Sequence, residues 1–404
     1  MSGFRQHALE HDREAVGHVG PDVTAGIDAG GAPSASSGTV SRFGSIYVNG
    51  VRYRTDVALF LLNGAVGSES DLAIGQVVTV YGTVDDDGVS GTANVVVYES
   101  AVEGPISFID GTTGRIQVLG QEIHVGPGTS ISVQSGASSL AGLRENDAIA
   151  ISGYVNAQGH IVATHISDLT GSEFELTGHV NTVDGAGYKL TINDLVVDYS
   201  AANLYGLAEG VPQPDERIEV VGNGMNAAGE FVATRIYVAS PAVAAAGDLV
   251  VEIEGLVTRL EAPWDFEIDG VPVIGQWGTK FEGGWWFDVD LNAKIEVAGR
   301  FDDSGRLVAD SISFEQEGDL SLAGRVEYVS GDAVVINGTA IRLRDDTEYE
   351  DDSDLQERRF GIDDLYAGDY VRLRVYRDSD GFVATRLERG DDDSAEDDRE
   401  EDDD

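Results

Sequence analysis

The chain has 404 residues and no cysteine, which excludes disulfides, thiolate metal sites and cysteine nucleophiles. Lysine is almost missing too: only Lys189, Lys280 and Lys294 occur, and the other basic residues are arginine. Against 26 basic residues stand 72 acidic ones, a formal charge of −46. Non-specific nucleic-acid affinity comes from clustered Lys and Arg releasing phosphate counterions, and the sequence has no such cluster, so nucleic acid is not an expected partner. Anionic membrane surfaces are disfavoured for the same reason. No apolar run is long enough for a transmembrane helix, and no amphipathic helix stands out. Short helical turns are expected only in loops, around Leu140 to Glu145 and Leu355 to Phe360. No apolar segment follows a basic start, so no signal peptide is visible.

What the chain does have is glycine, 51 of 404 residues, well above the usual ~7% and without a collagen period. The glycines mark a pattern that recurs five times, which dictates the fold reading. Each copy opens with Gly-x-Val/Ile or a close variant, at Gly38, Gly104, Gly178, Gly255 and Gly324. An alternating strand later closes on Gly82, Gly153, Gly222 and Gly299, with Val375 in that place in the fifth copy. A turn glycine follows at Gly88, Gly159, Gly229, Gly305 and Gly381. A closing strand comes last: Ile161-Val162-Ala163-Thr164, Phe231-Val232-Ala233-Thr234, Leu307-Val308-Ala309-Asp310 and Phe382-Val383-Ala384-Thr385. The first copy is looser, around Thr92 to Val96.

Each recurring segment reads as β-structure. Ile218, Val220 and Gly222 alternate with Glu219 and Val221, and Ile295, Val297 and Gly299 do the same. Period-two alternation of β-branched residues marks a half-buried strand. Val48-Asn49-Gly50 and Ile336-Asn337-Gly338 carry Asn-Gly, a strong short hairpin signal. Glycine at the end of a strand lets a curved sheet bend and admits a bulge. The sequence therefore predicts an all-β chain: a tandem array of five small β-barrel-like, OB-like repeats, each closing on itself because closure removes sticky edges. The expected divisions are a disordered leader 1–37, repeats at 38–100, 101–170, 171–240, 241–316 and 317–390, and a disordered acidic tail 391–404. The Ala-rich stretch Ala242 to Ala246 is the expected flexible joint.

The string Phe43-Gly44-Ser45-Ile46-Tyr47-Val48-Asn49-Gly50, with the later Val-x-Gly and Val-Ala-Thr repeats, resembles bacterial exported proteins carrying tandem repeats of the domain of unknown function 5666. The resemblance implies a protein of the cell envelope or the extracellular space. It carries over no catalytic residue. Gly26-Ile27-Asp28-Ala29-Gly30-Gly31 resembles the mature start of lipoproteins of this kind, but no lipobox cysteine is present.

The candidate sites are few. The seven histidines include three in the leader, His7, His11 and His18. His160 and His165 would fall on opposite faces of one strand, a poor metal geometry, so no metal set is assigned and no cofactor is expected. No His-Glu-x-x-His, Gly-x-Ser-x-Gly or P-loop motif occurs. Asp288-Val289-Asp290-Leu291-Asn292 mimics the start of a calcium loop, but Ala293 stands where that loop needs glycine; it is read as part of the alternating strand. Asp85-Asp86-Asp87-Gly88 and Asp302-Asp303-Ser304-Gly305 are read as turn chemistry. Arg389-Gly390-Asp391 is an integrin-type tripeptide that is common by chance. All four tryptophans, Trp264, Trp277, Trp285 and Trp286, lie in repeat 4. Exposed, they would stack on a ligand; buried, they would pack a core. Carboxylate pairs abound because the chain is acidic, so none marks an enzyme. The expected function is non-enzymatic, a scaffold or interaction surface. The alternative is a ligand-binding module, for glycan at the tryptophans or weakly for a divalent cation at the acidic turns.

Overall fold

A computed structural model describes residues 31–41, 45–133, 139–241, 243, 249–314, 320–336, 338–351, 353, 360–378 and 381–390. The chain is all-β, and its only helical elements among these residues are 3-10 turns. Two compact units divide at Phe314/Glu315. The first holds repeats 1 to 4 and the second holds repeat 5.

Repeat 2 shows the plan. Its strands are Val102–Asp110, Arg115–Val118, Gln121–Ser132, Ala148–Val155 and Ile161–Asp168. In chain order they pair first–second–third–fifth–fourth, and the fourth returns to the first. The third and fifth strands run parallel; the other pairs are antiparallel. This is the strand order of an oligonucleotide/oligosaccharide-binding barrel. Repeat 4 repeats it with Val250–Ala262, Asp265–Ile268, Val271–Glu282, Lys294–Phe301 and Leu307–Phe314. So does repeat 5, a closed barrel of Leu320–Ser330, Ala333–Ile336, Thr339–Asp351, Tyr370–Asp378 and Gly381–Gly390. Repeat 3 forms the same ring with its first and third strands interrupted. In repeat 1 the third strand is also interrupted, and the seam between Ala32–Thr39 and Ile46–Val48 holds a single backbone bond among the described residues, Ser41 N–H to Tyr47 O.

The glycine punctuation has a steric cause. At the Val-x-Gly position the fifth strand bulges, so that Ala298 pairs with Ser311 and Gly299 with Ala309. A Cβ on Gly299 would lie 2.1 Å from the Val308 carbonyl oxygen. Gly153 is the same case, 2.2 Å from Val162 O. The hairpins between second and third strands use left-handed pairs: Asn49-Gly50, with φ of 51° and 74°, as expected from Asn-Gly, and also Leu119-Gly120 and Asp269-Gly270. Less visible in sequence is a second bulge in the third strand. Val125 pairs with Ala163 and Ser130 with His165, leaving four residues opposite one. Gly275 to Lys280 and Leu343 to Glu348 repeat the shift. In repeats 2 and 4 a threonine locks the bulge: Thr129 Oγ1 donates to Ala163 O at 2.6 Å and Thr279 Oγ1 to Ala309 O at 2.7 Å.

The four repeats of the first unit do not form an extended string. Repeats 2 and 3 join through antiparallel pairing of Val102–Asp110 with Phe174–His179 and share one apolar core. Repeat 1 skips its sequence neighbour and pairs with repeat 4: Ser34 to Ser37 align in parallel with Val250 to Ile253. This corrects the leader boundary, because Ala32–Thr39 is a strand of the first barrel. The leader up to residue 30, and the acidic tail, lie outside the described residues. Val243, within the expected Ala-rich joint, is buried in the core of repeat 4; its neighbours 242 and 244–248 lie outside the described residues. A 3-10 turn forms at Leu140–Gly142 as expected, and another at Ile362–Asp364; the expected turn at Leu355 to Phe360 lies, but for Phe360, outside the described residues.

Candidate functional site

The tryptophans were to decide between core and surface, and each is at least 40% exposed. Trp264 sits in the turn between Val250–Ala262 and Asp265–Ile268. Trp277 stands fully exposed on the third-strand bulge. Trp285 and Trp286 lie at the start of the 3-10 turn Trp286–Asp288, not in a strand, which is why both face outward. The rings gather in two groups. Trp264 and Trp286 are 6.0 Å apart, and Phe287 meets Trp286 edge-on at 5.7 Å. Phe281 lies 5.5 Å from Trp285 and 6.5 Å from Phe314. These groups occupy the first hairpin turn, the third strand and the loop after it. In this barrel type the second and third strands and the first loop form the usual binding face. Trp277 stands apart, on the bulge.

The calcium-loop mimic Asp288 to Asn292 is corrected: it precedes the strand Lys294–Phe301 instead of lying in it. Asp288 Oδ2 accepts Trp285 N–H, and Asn292 adopts φ 66° while its Oδ1 accepts Ala157 N–H of repeat 2. The acidic turns are self-satisfied. Asp302 Oδ1 accepts the Ser304 hydroxyl and the Ser304 and Arg306 N–H groups, while Oδ2 takes the Arg306 guanidinium. The Ser304 hydroxyl first, then the Arg306 amide, hold this carboxyl far below the usual range. These oxygens serve the turn, which favours turn chemistry over a calcium role. Arg389 of the integrin-type tripeptide is only 4% exposed and forms a bidentate pair with Asp351.

Buried carboxylates do meet at the junction of repeats 1, 2 and 4. Glu254, 5% exposed, accepts Tyr154 Oη at 2.7 Å and pairs with Lys294 Nζ at 2.8 Å. Thr39 Oγ1 reaches it at 3.3 Å. Two residues earlier, Glu252 accepts Ser36 Oγ at 3.2 Å. Burial first pushes the Glu252 carboxyl up, aided by the charge of Glu254 and opposed by hydrogen bonds with Glu296 and Ser36. Burial, and then Glu252, also push the nearby Tyr53 phenol up to about 12. The donors around these acids come from three barrels, so the cluster is chiefly a clasp.

A further constellation escaped the sequence reading. His160 and His165 are indeed separated: His165 is buried at 1%, while His160 is on the outer surface of repeat 2. His160 instead meets Glu122 and His124, and one donor atom from each of the three lies within 4.8 Å of the others. The signal was available in part, because Glu122-Ile123-His124 alternates and puts both polar residues on one face. Only the parallel pairing of Ile123 with Ile161 brings His160 alongside.

No curated protein matches the chain. Among solved structures, "drosophila Unr CSD456" is 12% identical, covering 53% of this chain and 95% of its own, with a TM-score of 0.13. At that level the overlap adds nothing to the topology described above. Three regions, 103–167, 254–313 and 323–388, match the family model Domain of unknown function (DUF5666). They coincide with repeats 2, 4 and 5, the three barrels that close with uninterrupted strands. In these three tandem regions the chain is thus similar to the DUF5666 family.

Proposed function

We propose that the protein is a non-catalytic scaffold of the bacterial cell envelope or its surroundings, whose fourth barrel offers an aromatic platform to a neutral saccharide. The observation that carries this reading is the exposed ring group Trp264, Trp286 and Phe287 on the fourth barrel, with Trp285 exposed in the adjoining group. Large aromatics left in water at a contiguous patch mark an interaction site. Their flat faces suit the C–H faces of sugar rings, as they suit other planar ligands. The charge of −46 repels anionic polysaccharides and phosphate backbones, which leaves uncharged glycans. The envelope location rests on the family resemblance.

All four tryptophans are in repeat 4, so tryptophan emission, excited selectively above the tyrosine band, reports this barrel alone. Titration with soluble neutral oligosaccharides is expected to shift the emission, and W264A and W286A to abolish the shift. No response to any neutral glycan at millimolar concentration removes the ligand. Recovery of the native protein only in the cytosolic fraction removes the location.

A further inference from the structure

We infer that repeat 2 binds one divalent transition-metal ion of the zinc class through Glu122, His124 and His160. The three side chains project from the outside of a rigid wall. Glu122 and His124 flank Ile123 on the strand Gln121–Ser132, and Ile123 is fully buried. His160 immediately precedes Ile161, which is also buried and is the direct partner of Ile123. Two core residues in parallel register therefore fix the spacing of the three outward groups. His124 Nε2 lies 2.8 Å from Glu122 Oε1, and His160 Nδ1 lies 3.5 Å from the same oxygen. The two imidazoles are 5.2 Å apart, tilted by 47°. His160 is further held by the hydrogen bond from its N–H to Asn156 Oδ1 at 2.9 Å, within the repeat's own hairpin turn.

Two imidazoles and one carboxylate are a donor set suited to zinc, cobalt, nickel or copper, and ill-suited to calcium or magnesium, which take oxygen. The side chains are between 33% and 41% exposed, so the remaining coordination positions open to water. One group opposes a cation there. Arg115 Nη1 lies 3.6 Å from Glu122 Oε1. Its side chain is 44% exposed, so it can turn into solvent when a metal arrives. The site differs in place and chemistry from the tryptophan platform and does not depend on it.

The test is calorimetric titration of the metal-stripped full chain with zinc chloride, with calcium chloride as the control. One zinc per chain is expected at this site, with calcium giving no heat. The double variant H124A/H160A removes two of the three ligands and is expected to weaken that event at least about 100-fold, the upper end of the cost of losing a mere outer-shell partner. R115Q is expected to tighten it, a change that a purely structural surface cluster does not produce. Both variants change only surface side chains, and an unchanged melting temperature without metal confirms that they fold. Zinc binding that survives in H124A/H160A places the metal elsewhere, at the leader histidines or the acidic tail, and overturns the assignment. So does the absence of stoichiometric binding to the wild type.

Discussion

Tyr154 Oη donates to Glu254 Oε1 at 2.7 Å across 100 residues of sequence, tying repeat 2 to repeat 4. The same carboxylate pairs with Lys294, whose ammonium lies 5.7 Å from the centre of the Tyr154 ring. Removing the carboxylate takes this acceptor away from a partly buried ammonium and from the phenol. E254A is expected to destabilise the first unit by about 3 kcal/mol, the range for breaking a buried ion pair. Y154F removes one hydrogen bond and is expected to cost about 1 kcal/mol. Chemical denaturation of the two variants checks this; an E254A curve that overlays the wild type refutes the clasp.

Glu252, next to that clasp, makes the junction sensitive to pH. Its folded-state pKa is raised, so its contribution is complete below the ordinary carboxylate value near 4 and fades as pH rises through the raised value. E252Q is therefore expected to raise the melting temperature at pH 7 to 8 and to have little effect near pH 4. Equal effects at both pH values would show that Glu252 titrates as it does in the unfolded chain.

His165 has the opposite sign. Burial holds its imidazole below the usual value, so the ring is neutral in the fold. Above about pH 6.5 the ring is neutral in the unfolded chain too. As pH falls below that, the unfolded chain takes up the proton first and stability drains away until the depressed folded value is passed. H165L is expected to flatten the loss of melting temperature between pH 6.5 and 5. A slope identical to the wild type's counts against it.

The Val-x-Gly glycines are expected to resist even alanine. At Gly299 the new Cβ would sit 2.1 Å from the backbone atom Val308 O, so this bulge must widen to admit it, as the matching bulge of repeat 5 does around Val375. G299A is expected to cost more than about 2 kcal/mol, in the tail of the distribution for strained core positions. The turn glycine Gly305 has φ 78° and open space around it, so G305A should cost only about 1 kcal/mol. Paired thermal melts decide it; equal losses remove the steric explanation.

In repeat 5, Arg389 Nε and Nη2 reach Asp351 Oδ1 and Oδ2 at 3.0 and 2.6 Å. Its Nη1 donates to Asp364 O, and its guanidinium stacks 4.4 Å from the Phe360 ring centre. R389A is expected to destabilise the second unit by about 3 to 5 kcal/mol, since it removes the bidentate partner of a buried carboxylate. R389K, lacking the planar fork, should recover only part of that. Integrin-dependent cell adhesion is not expected from a chain whose arginine is turned inward. Adhesion that disappears in R389A while the barrel stays folded overturns this.

Some of these features were legible in the residues alone. Ile218, Val220 and Gly222 announce a strand because side chains alternate across a pleated sheet whatever it packs against. Asn49-Gly50 announces its hairpin because few residues adopt two left-handed conformations in a row. The Trp285-Trp286 pair was harder. Adjacent side chains of a strand point to opposite faces, so a strand guarantees only one outward ring; the 3-10 turn Trp286–Asp288 turns both outward, and its location depends on where the bulged third strand ends.

The sequence by itself determined what depends on neighbours a few residues apart: the all-β character, the repeat period, the turn positions and the bulge glycines. Local sterics and backbone hydrogen bonding set these within each copy. Only the tertiary structure decided that Ala32–Thr39 pairs with Val250–Ala262, that His160 meets His124, and that Arg389 turns inward. Those contacts follow from strand register and barrel docking over separations of tens to hundreds of residues. There an alternating pattern fits many partners equally well, and packing chooses one.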